Sequence, residues 1–253
     1  MSSRARDDVS PCDETSGHVP RYACGMQDPI NRHQLAELGA LVAEPARAAM
    51  LLALLDSRSR PAGELAKLAG VGAATASAHL RKLSDAGLLD VKHQGRHRYY
   101  RLADENVAHW LETFALASPR LAARALPPTA DAAFLRARTC YQHLAGKLGV
   151  ALFERLRGVG GIILESDAVR LTRAGESLLR EGGVIADPVA RSQLHGRTCV
   201  DWTERRFHLS GPLGTMLAHR LIDSGWLRRR NGSRALVISG AGQRGFSALG
   251  VEL

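Results

Sequence analysis

Apolar positions recur at helical spacing through the first half of the chain and predict a series of short helices. Leu35, Leu38 and Leu41 place one apolar face on a helix over about residues 33–43. Further segments with helical patterns cover residues 45–55, 62–68, 73–86 and 104–117. Gly87 follows the segment at 73–86 in the position of a C-terminal cap, so we expect that helix to end there.

The spacing of apolar residues changes after Gly87. Residues 88–93 and 98–102 have the pattern of two strands joined by a tight turn. The same plan, in which a helix ends at glycine and is followed by a hairpin and another helix, recurs at Gly161 and Gly225. The sequence therefore predicts a mainly α protein with small antiparallel β-hairpins, in which a winged helix-turn-helix precedes a second, winged-helix-like C-terminal domain.

Composition divides the chain into four segments. Residues 1–30 lack periodicity and are rich in Ser, Asp, Gly and Pro, so we expect a disordered tail. Three prolines mark a linker at residues 119–130. These limits leave a first domain at residues 31–118 and a second domain at residues 131–253.

The charge balance favours a polyanionic partner. The formal net charge is +9, which favours binding to DNA or RNA. Aromatic residues make up 5% of the chain, too few for a single-stranded nucleic-acid surface built on base stacking. The chain has neither an apolar run long enough to cross a bilayer nor a secretory leader, so we expect a cytoplasmic protein without membrane contact.

Residues 64–89 combine a short helix, a glycine turn and a second helix, which is the pattern of a helix-turn-helix. Ala66 and Ala69 are small where the two helices must cross. The second helix has an open face of short and basic side chains that fits the major groove of double-stranded DNA, and the hairpin after it forms a basic wing. The predicted DNA contacts are Ala73, Thr75, Ser77, Ala78, His79, Arg81 and Lys82 on the helix and Arg96, His97 and Arg98 on the wing.

Residues 33–116 resemble the ArsR/SmtB family of winged-helix repressors. The phrases that carry the resemblance are Glu64–Leu65–Ala66, Ser77, His79–Leu80, Leu83, Ala86–Gly87–Leu88 and the wing from Gly95–Arg96 to Tyr99–Tyr100–Arg101–Leu102. The resemblance implies a homodimer that pairs through the first and last helices of this domain. It also implies a repressor that occupies an inverted-repeat operator until an effector releases it.

The chain departs from this family in its recognition helix and in its metal-binding positions. Gly72 stands where the family's usual serine opens the recognition helix, and Ala78 replaces the first of its paired histidines. Pro61 and Gly63 occupy the positions of the Cys-x-Cys of arsenic- and cadmium-binding members, so we expect no such site. Three residues of the last helix partly match the family's zinc site: Asp104, His109 and Glu112. The alternative for His109 is an ordinary interface position.

Thiol and imidazole groups in the second half offer ligands for a soft metal or targets for a thiol-reactive effector. Cys140 and His143 are three residues apart, and we expect them to share one face of a helix. The candidate effector site comprises Cys140, His143, Cys199 and Asp201, with His195 or His208 nearby. The phrases 140–146 and 199–205 also resemble those of a longer subgroup of the same family.

Two alternatives stay open for the second half. Cys140, Leu144 and Leu148 form an apolar stripe, which is also the pattern of simple core packing. The other alternative is a pocket for an organic small-molecule effector, lined by Tyr141, Phe153, Trp202, Phe207 and Trp226.

Other classes of protein have less support from the sequence. The chain has no nucleophile elbow, phosphate loop, dinucleotide fingerprint or Cys-x-x-Cys pair, so we do not expect an enzyme. A thiol- or metal-dependent enzyme that uses Cys140, His143 and Cys199 is one alternative, and a non-specific nucleoid-binding protein is another. The basic wing directly after the helix-turn-helix favours a DNA-binding transcriptional regulator.

Overall fold

In the computed structural model, the described residues are 32–95, 97–116, 131–186 and 189–252. Three predictions therefore fall outside the described residues. These are the tail at residues 1–30, the linker at residues 119–130 and the DNA contact Arg96.

Contacts divide the chain into two compact units, Met1–Glu44 and Pro45–Leu253. In the first unit, helix α1 spans Arg32–Val42, close to the predicted limits, and none of its residues is buried. The second unit contains the other described elements. Within the described ranges, none of the helices combines the length and apolar character that a membrane crossing needs. The domain limits at residues 31–118 and 131–253 stay a prediction.

The first part of the larger unit is a winged helix-turn-helix. Its elements are α2 (Pro45–Ala53), β1 (Arg60–Pro61), α3 (Ala62–Ala69), α4 (Ala73–Asp85), β2 (Leu89–Gln94), β3 (His97–Leu102) and α5 (Glu105–Leu116). The strands form one antiparallel sheet in the order β1-β3-β2. The predicted helices and wing are confirmed, and the short strand β1 is the one element of this part that the sequence pattern did not indicate.

Glycine and leucine positions explain the helix-turn-helix. Gly70 has a φ of +67°, a left-handed conformation that glycine adopts without strain, and it ends α3. Leu65 of α3 and Leu80 and Leu83 of α4 are fully buried. Burial of these apolar side chains holds the two helices together, so the opposite face of α4 is left in solvent.

The second part of the larger unit alternates hairpins and helices after a short first helix. Its elements are α6 (Ala132–Arg136), β4 (Arg138–Cys140), β5 (His143–Ala145), α7 (Gly146–Gly158), β6 (Ile162–Glu165), β7 (Ala168–Leu171), α8 (Arg173–Glu181), β8 (His195–Val200), β9 (Phe207–Ser210), α9 (Gly211–Asp223), β10 (Leu227–Arg229), β11 (Leu236–Ile238) and α10 (Gly240–Ala248). A 3-10 helix at Arg191–Gln193 precedes β8. From β4 onward, a series of hairpin, helix, hairpin and helix occurs twice in succession.

The two copies of this series are built alike. Gly146 and Gly211 begin α7 and α9 with positive φ angles of 77° and 66°. Thr172 and Ser239 cap α8 and α10, because each hydroxyl oxygen accepts a hydrogen bond from the backbone N–H three residues later. The predicted repeat of helix, glycine, hairpin and helix is confirmed, and the structure adds a further hairpin in front of each copy.

One continuous apolar core joins the two copies. Leu148 and Phe153 of α7 and Leu213 and Leu217 of α9 belong to it and are almost fully buried. The hairpins β6–β7 and β8–β9 combine into one four-stranded antiparallel sheet, whereas β4–β5 and β10–β11 are two-stranded. The shared core and the shared sheet explain why neither copy is a separate domain.

The structure corrects the placement of Cys140 and His143. We expected these residues on one face of a helix, and this expectation is wrong. Cys140 ends β4 and His143 begins β5, where the two are direct partners across a two-residue turn. Tyr141 has a φ of +55°, a left-handed conformation that reverses the chain and interrupts any right-handed helix. The helix that follows begins only at Gly146.

Candidate functional site

The outward face of α4 carries most of the predicted DNA contacts. Its exposed members are Ala73, Thr75, Ser77, Ala78, Arg81 and Lys82. His79 differs from them, because its side chain is half-buried and its Nδ1 lies 3.3 Å from Nη1 of Arg47 on α2. One side of α4 therefore offers solvent a surface of short side chains followed by two cations.

Strands β2 and β3 form the wing next to this helix. Gly95 at its tip has a φ of +58°, which allows the tight turn. His97 and Arg98 are exposed near the tip. At the base of the wing, Arg101 is 2.7 Å from the carboxylate of Asp90, so its charge is already partly neutralised. The cationic groups nearest the tip are the ones best placed to reach a ligand.

The structure brings together three of the four predicted effector residues and adds another histidine. Cys140, His143, Cys199 and His208 each place one sulfur or ring nitrogen atom within 4.8 Å of the others. In both hairpins the cysteine is the direct cross-strand partner of the histidine, so that Cys140 pairs with His143 and Cys199 with His208. The two imidazole rings stack with their centroids 4.9 Å apart. We call these four residues the Cys–His cluster.

The Cys–His cluster is largely buried and leaves ring nitrogens without hydrogen bonds. Cys140 is 5% exposed, His143 is 8% exposed and His208 is 1% exposed. Within the described ranges, neither Nε2 of His143 nor either ring nitrogen of His208 has a hydrogen-bond partner. A hydrogen bond with Cys140 lowers the pKa of the half-buried Cys199 thiol below its ordinary value, against the opposing effect of burial.

Asp201 lies behind the cluster and not within it. Its carboxylate accepts hydrogen bonds from Nη2 of Arg138 at 2.8 and 2.9 Å and from the backbone N–H of Gly146 at 2.7 Å. Burial alone would raise the pKa of Asp201, but Arg138 and the hydroxyl of Thr203 hold it far below the usual carboxyl range. The nearest contact with the cluster is 3.9 Å, from Oδ2 of Asp201 to Nδ1 of His208.

Glu112 connects the Cys–His cluster to the winged helix-turn-helix. The thiol of Cys140 donates to Oε2 of Glu112 at 3.7 Å. The other carboxylate oxygen accepts a hydrogen bond from Nη2 of Arg234 at 2.6 Å. The same guanidinium donates to the carbonyl oxygen of Leu55, just after α2, from Nε at 2.9 Å and from Nη2 at 2.6 Å. A chain of buried polar contacts thus links the cluster to α5 and to the end of α2.

The partial zinc-site pattern on α5 takes a different form from the one expected. Asp104 caps the helix, since its Oδ1 accepts a hydrogen bond from the backbone N–H of Val107 at 2.9 Å. His109 and Glu112 instead group with Cys140 as a second set of possible ligands. A hydrogen bond with Cys140 raises the pKa of His109, although burial opposes this effect. Cys140 therefore belongs to both groups.

The aromatic residues considered as a pocket lining lie in different surroundings, although the rings of Phe153 and Phe207 lie near each other with centroids 6.2 Å apart. Phe153 is buried in the core. Trp226 packs edge-on against Phe246, with ring centroids 5.2 Å apart. Trp202 is buried, whereas Tyr141 is 37% exposed. These different surroundings give no support to a shared pocket for an organic effector.

Sequence reasoning missed the symmetry of the Cys–His cluster. The matching phrases are Thr139–Cys140 with His143–Leu144–Ala145–Gly146–Lys147–Leu148–Gly149, and Thr198–Cys199 with His208–Leu209–Ser210–Gly211–Pro212–Leu213–Gly214. The spacers between cysteine and histidine differ, with two residues in the first copy and eight in the second, and this difference hides the match. A search for the repeated His-Leu-x-Gly-x-Leu-Gly phrase would have singled out His208.

Comparisons of the sequence with known proteins find a helix-turn-helix in the same part of the chain. A sequence model described as a helix-turn-helix domain matches residues 42–92. The HTH-type transcriptional regulator CmtR of Mycobacterium bovis is 40% identical over 77 residues, which cover 30% of this chain and 64% of that protein. The chain is also similar to the solution structure of the homodimeric winged helix-turn-helix DNA-binding domain of Mb0332 from Mycobacterium bovis. This match covers 36% of the present chain and 88% of the solved one, at 30% identity and a TM-score of 0.31.

A longer match extends into the second half of the chain. An uncharacterized HTH-type transcriptional regulator of Bacillus subtilis, YdfF, is 36% identical over 214 residues. These residues cover 84% of this chain and 95% of that protein. A match of this length includes much of the part that contains the Cys–His cluster as well as the winged helix-turn-helix.

Proposed function

Because the chain belongs to the ArsR/SmtB family of helix-turn-helix transcriptional regulators, we propose that it is a repressor that binds an inverted-repeat operator as a homodimer. An effector then releases it from the operator. The observation that supports this proposal most is the exposed face of α4 beside the basic wing. We refer to α4 and the wing together as the DNA-reading unit. A repressor acts in the compartment that contains its operator, and we propose a cytoplasmic location for this one.

The surface of α4 suits the major groove of double-stranded DNA. The short side chains of Ala73 and Ala78 allow the helix backbone to approach the edges of the bases. The hydroxyl groups of Thr75 and Ser77 can bond to bases or to phosphates. Two exposed cations, Arg81 and Lys82, follow along the same helix and can bond to phosphates. His79 packs against α2 instead and takes a positioning role.

The wing supplies the contacts that do not depend on base sequence. His97 and Arg98 lie near its tip, and such a tip enters the minor groove or follows the phosphate backbone. Arg96, which precedes them in the sequence, is proposed for the same role. Arg101 contributes less, because Asp90 already pairs with it. The division of labour is therefore sequence selection by α4 and affinity from the wing.

Operator selection with the full-length protein tests this function directly. We expect random double-stranded DNA to yield an inverted repeat with half-site centres about one helical turn, roughly 10 bp, apart. Footprinting should show protection of both half-sites, and sedimentation should show two chains per operator. Enrichment of no sequence, with uniform binding along any DNA, would instead favour a nucleoid-binding protein.

Burial of the Cys–His cluster argues against the alternative of a thiol- or metal-dependent enzyme. A nucleophilic thiol must meet its substrate, yet Cys140 is 5% exposed and its partner His143 is 8% exposed. Both residues belong to the hairpin β4–β5, whose second strand packs against β9. The proposed role of the second half is to respond to an effector, which requires no catalytic step.

A further inference from the structure

We propose that Cys140, His143, Cys199 and His208 bind one divalent cation of the zinc class in a tetrahedral site, and that the bound cation lowers affinity for the operator. The second statement rests on the proposed function. The first statement does not, because it concerns only the Cys–His cluster and the chemistry of its four donor groups.

The geometry of the cluster is close to what a tetrahedral ion requires. Bond lengths of about 2.3 Å to sulfur and about 2.0 Å to nitrogen place neighbouring ligand atoms about 3.3–3.8 Å apart. The four candidate atoms already lie within 4.8 Å of one another. Each hairpin contributes one thiol and one imidazole from directly opposed residues. A shortening of the longest of these distances by at most about 1.0–1.5 Å completes the site.

The ring nitrogens without partners are the second observation that points to an ion. His208 is 1% exposed and, among the described residues, neither of its nitrogens makes a hydrogen bond. Nε2 of His143 is in the same state. Buried polar groups in native proteins are nearly always satisfied. Core packing accounts for a buried thiol. It does not account for two neighbouring buried imidazoles whose ring nitrogens lack hydrogen-bond partners.

The donor set selects the type of cation. Two sulfur and two nitrogen donors suit Zn²⁺ and its tetrahedral analogue Co²⁺, whereas Mg²⁺ and Ca²⁺ require oxygen donors. Each cysteine binds as a thiolate, so the two thiols release two protons as two metal–sulfur bonds form. The two thiolates neutralise the charge of a divalent ion, which makes the product compatible with a buried site. Asp201 is engaged by Arg138 and makes no hydrogen bond to His208, because its Oδ2 is 3.9 Å from Nδ1 of that ring. A carboxylate in this position can orient a metal-binding imidazole if the gap closes when the ion binds.

The contact between Cys140 and Glu112 couples the site to the DNA-reading unit. When the Cys140 thiol gives up its proton to bind the cation, Glu112 loses the S–H that it accepts in the metal-free protein. Glu112 stands on α5, and its other partner, Arg234, holds the backbone at Leu55 after α2. The bound cation thus weakens one of the contacts that fix α5 and α2. A change of this kind corresponds to about a tenfold loss of operator affinity.

Metal binding is tested with the full-length chain carrying Cys12→Ser and Cys24→Ser, so that every remaining thiol belongs to the cluster. Titration with Co²⁺ should give one ion per chain, with the intense ligand-field absorption of tetrahedral cobalt and sulfur-to-metal charge transfer. Zn²⁺ should displace the cobalt and release no further protons beyond the two released by Co²⁺. Fewer than one bound ion, or an octahedral spectrum, would overturn the proposal without touching the proposed function.

Two variants separate the cluster from other histidines of the same hairpin. His208→Gln should lose the tetrahedral spectrum, and Zn²⁺ should no longer change its operator affinity. His195→Gln alters an exposed histidine of β8 outside the cluster and should keep both responses. A spectrum unchanged in His208→Gln refutes the site. If His208→Gln does not fold, Cys199→Ser, at a half-buried position, takes its place with the same expected losses.

The DNA measurement is read separately from the metal measurement. The metal-free protein should bind its selected operator, and saturating Zn²⁺ should weaken that binding about tenfold. If the cation binds in a tetrahedral site but does not change the affinity for the operator, the coupling is refuted and the metal site is not. If an oxidant forms a disulfide between Cys140 and Cys199 in the wild-type protein and Co²⁺ does not bind, the metal site is refuted and the cluster is a redox-active thiol pair.

Discussion

Arg234 and Glu112 form a buried ion pair, with Nη2 of the guanidinium 2.6 Å from Oε1 of the carboxylate. The two side chains are only 8% and 7% exposed. Arg234 lies in the loop between β10 and β11, and Glu112 lies on α5, so the pair joins elements that are distant in the chain. Both charges lose their hydration here, and the pair therefore fixes the arrangement of α5 more than it adds stability.

Removal of Arg234 alone should be strongly destabilising, because Glu112 would be left as an unpaired buried carboxylate. We expect Arg234→Met to lower the free energy of unfolding by about 3–5 kcal/mol in denaturant titrations. The double variant Arg234→Met/Glu112→Leu should recover much of this loss, since it buries no unpaired charge. Arg229→Met, at an exposed position of β10, is the matched control and should change stability by less than about 0.5 kcal/mol. Equal losses in the two single variants would contradict the role of the pair.

A second prediction concerns Gly214 of α9, where the two hairpin–helix copies approach each other closely. A Cβ at Gly214 would lie 2.5 Å from the carbonyl oxygen of Leu209 and 3.2 Å from Cβ of His143. Gly214→Ala should therefore lower the free energy of unfolding by about 1–3 kcal/mol. Gly63→Ala is the control, because it stands in α3 with open space around it and should gain about 0.5–1 kcal/mol. Thermal melts that show the same stability for both variants would rule out the close approach.

The fold was predictable where the pattern was local. The helices around Gly70 and the wing after Gly87 follow from periodicity and from glycine positions within a few residues. The hairpin β4–β5 could not be predicted from the sequence. All six of its strand residues are buried, so its pattern shows no alternation of apolar and polar positions. A short buried strand of this kind cannot be told from a buried helical segment by spacing alone.

The candidate site was predictable in its chemistry and not in its geometry. Cys140, His143 and Cys199 were chosen because thiols and imidazoles bind soft ions, although the helix assumed for the first two does not exist. His208 entered only as a neighbour in sequence. The contact of Glu112 with Arg234 spans 122 residues, and no local pattern predicts a pair at that separation.

Asp131 gives a pH-dependent prediction. Its Oδ2 lies 2.5 Å from Nη1 of Arg230 and 3.6 Å from Nη2 of Arg58. Burial alone would raise the pKa of Asp131. The N–H of Ala133 and the charge of Arg230 lower the pKa by more than burial raises it, so the pKa of Asp131 is below its ordinary value. The carboxylate therefore stabilises the fold fully above about pH 4, the ordinary range of an unfolded aspartate, and this contribution is lost as the pH falls through the folded pKa.

Asp131→Asn isolates this charge, because asparagine still accepts the hydrogen bond from Ala133 that caps α6. At pH 7 the variant should be less stable than the wild type by about 0.2–1 kcal/mol. The difference should narrow as the pH is lowered below about 4, because the wild-type carboxyl also becomes neutral. Denaturant titrations across this range measure it, and a difference that stays constant with pH would show that the charge has no role.

Two substitutions should separate sequence selection from overall affinity in the DNA-reading unit. Ala78→Glu places a negative charge on the exposed face of α4, where the groove would approach, and should abolish the preference for the operator over random DNA. Arg98→Ala on the wing should weaken binding to all sequences alike and reduce the slope of log affinity against log salt by about one. Gel shifts at several salt concentrations, with operator and scrambled DNA, distinguish the two effects. If Ala78→Glu keeps the footprint and Arg98→Ala changes the preferred sequence, then the wing and not α4 reads the bases.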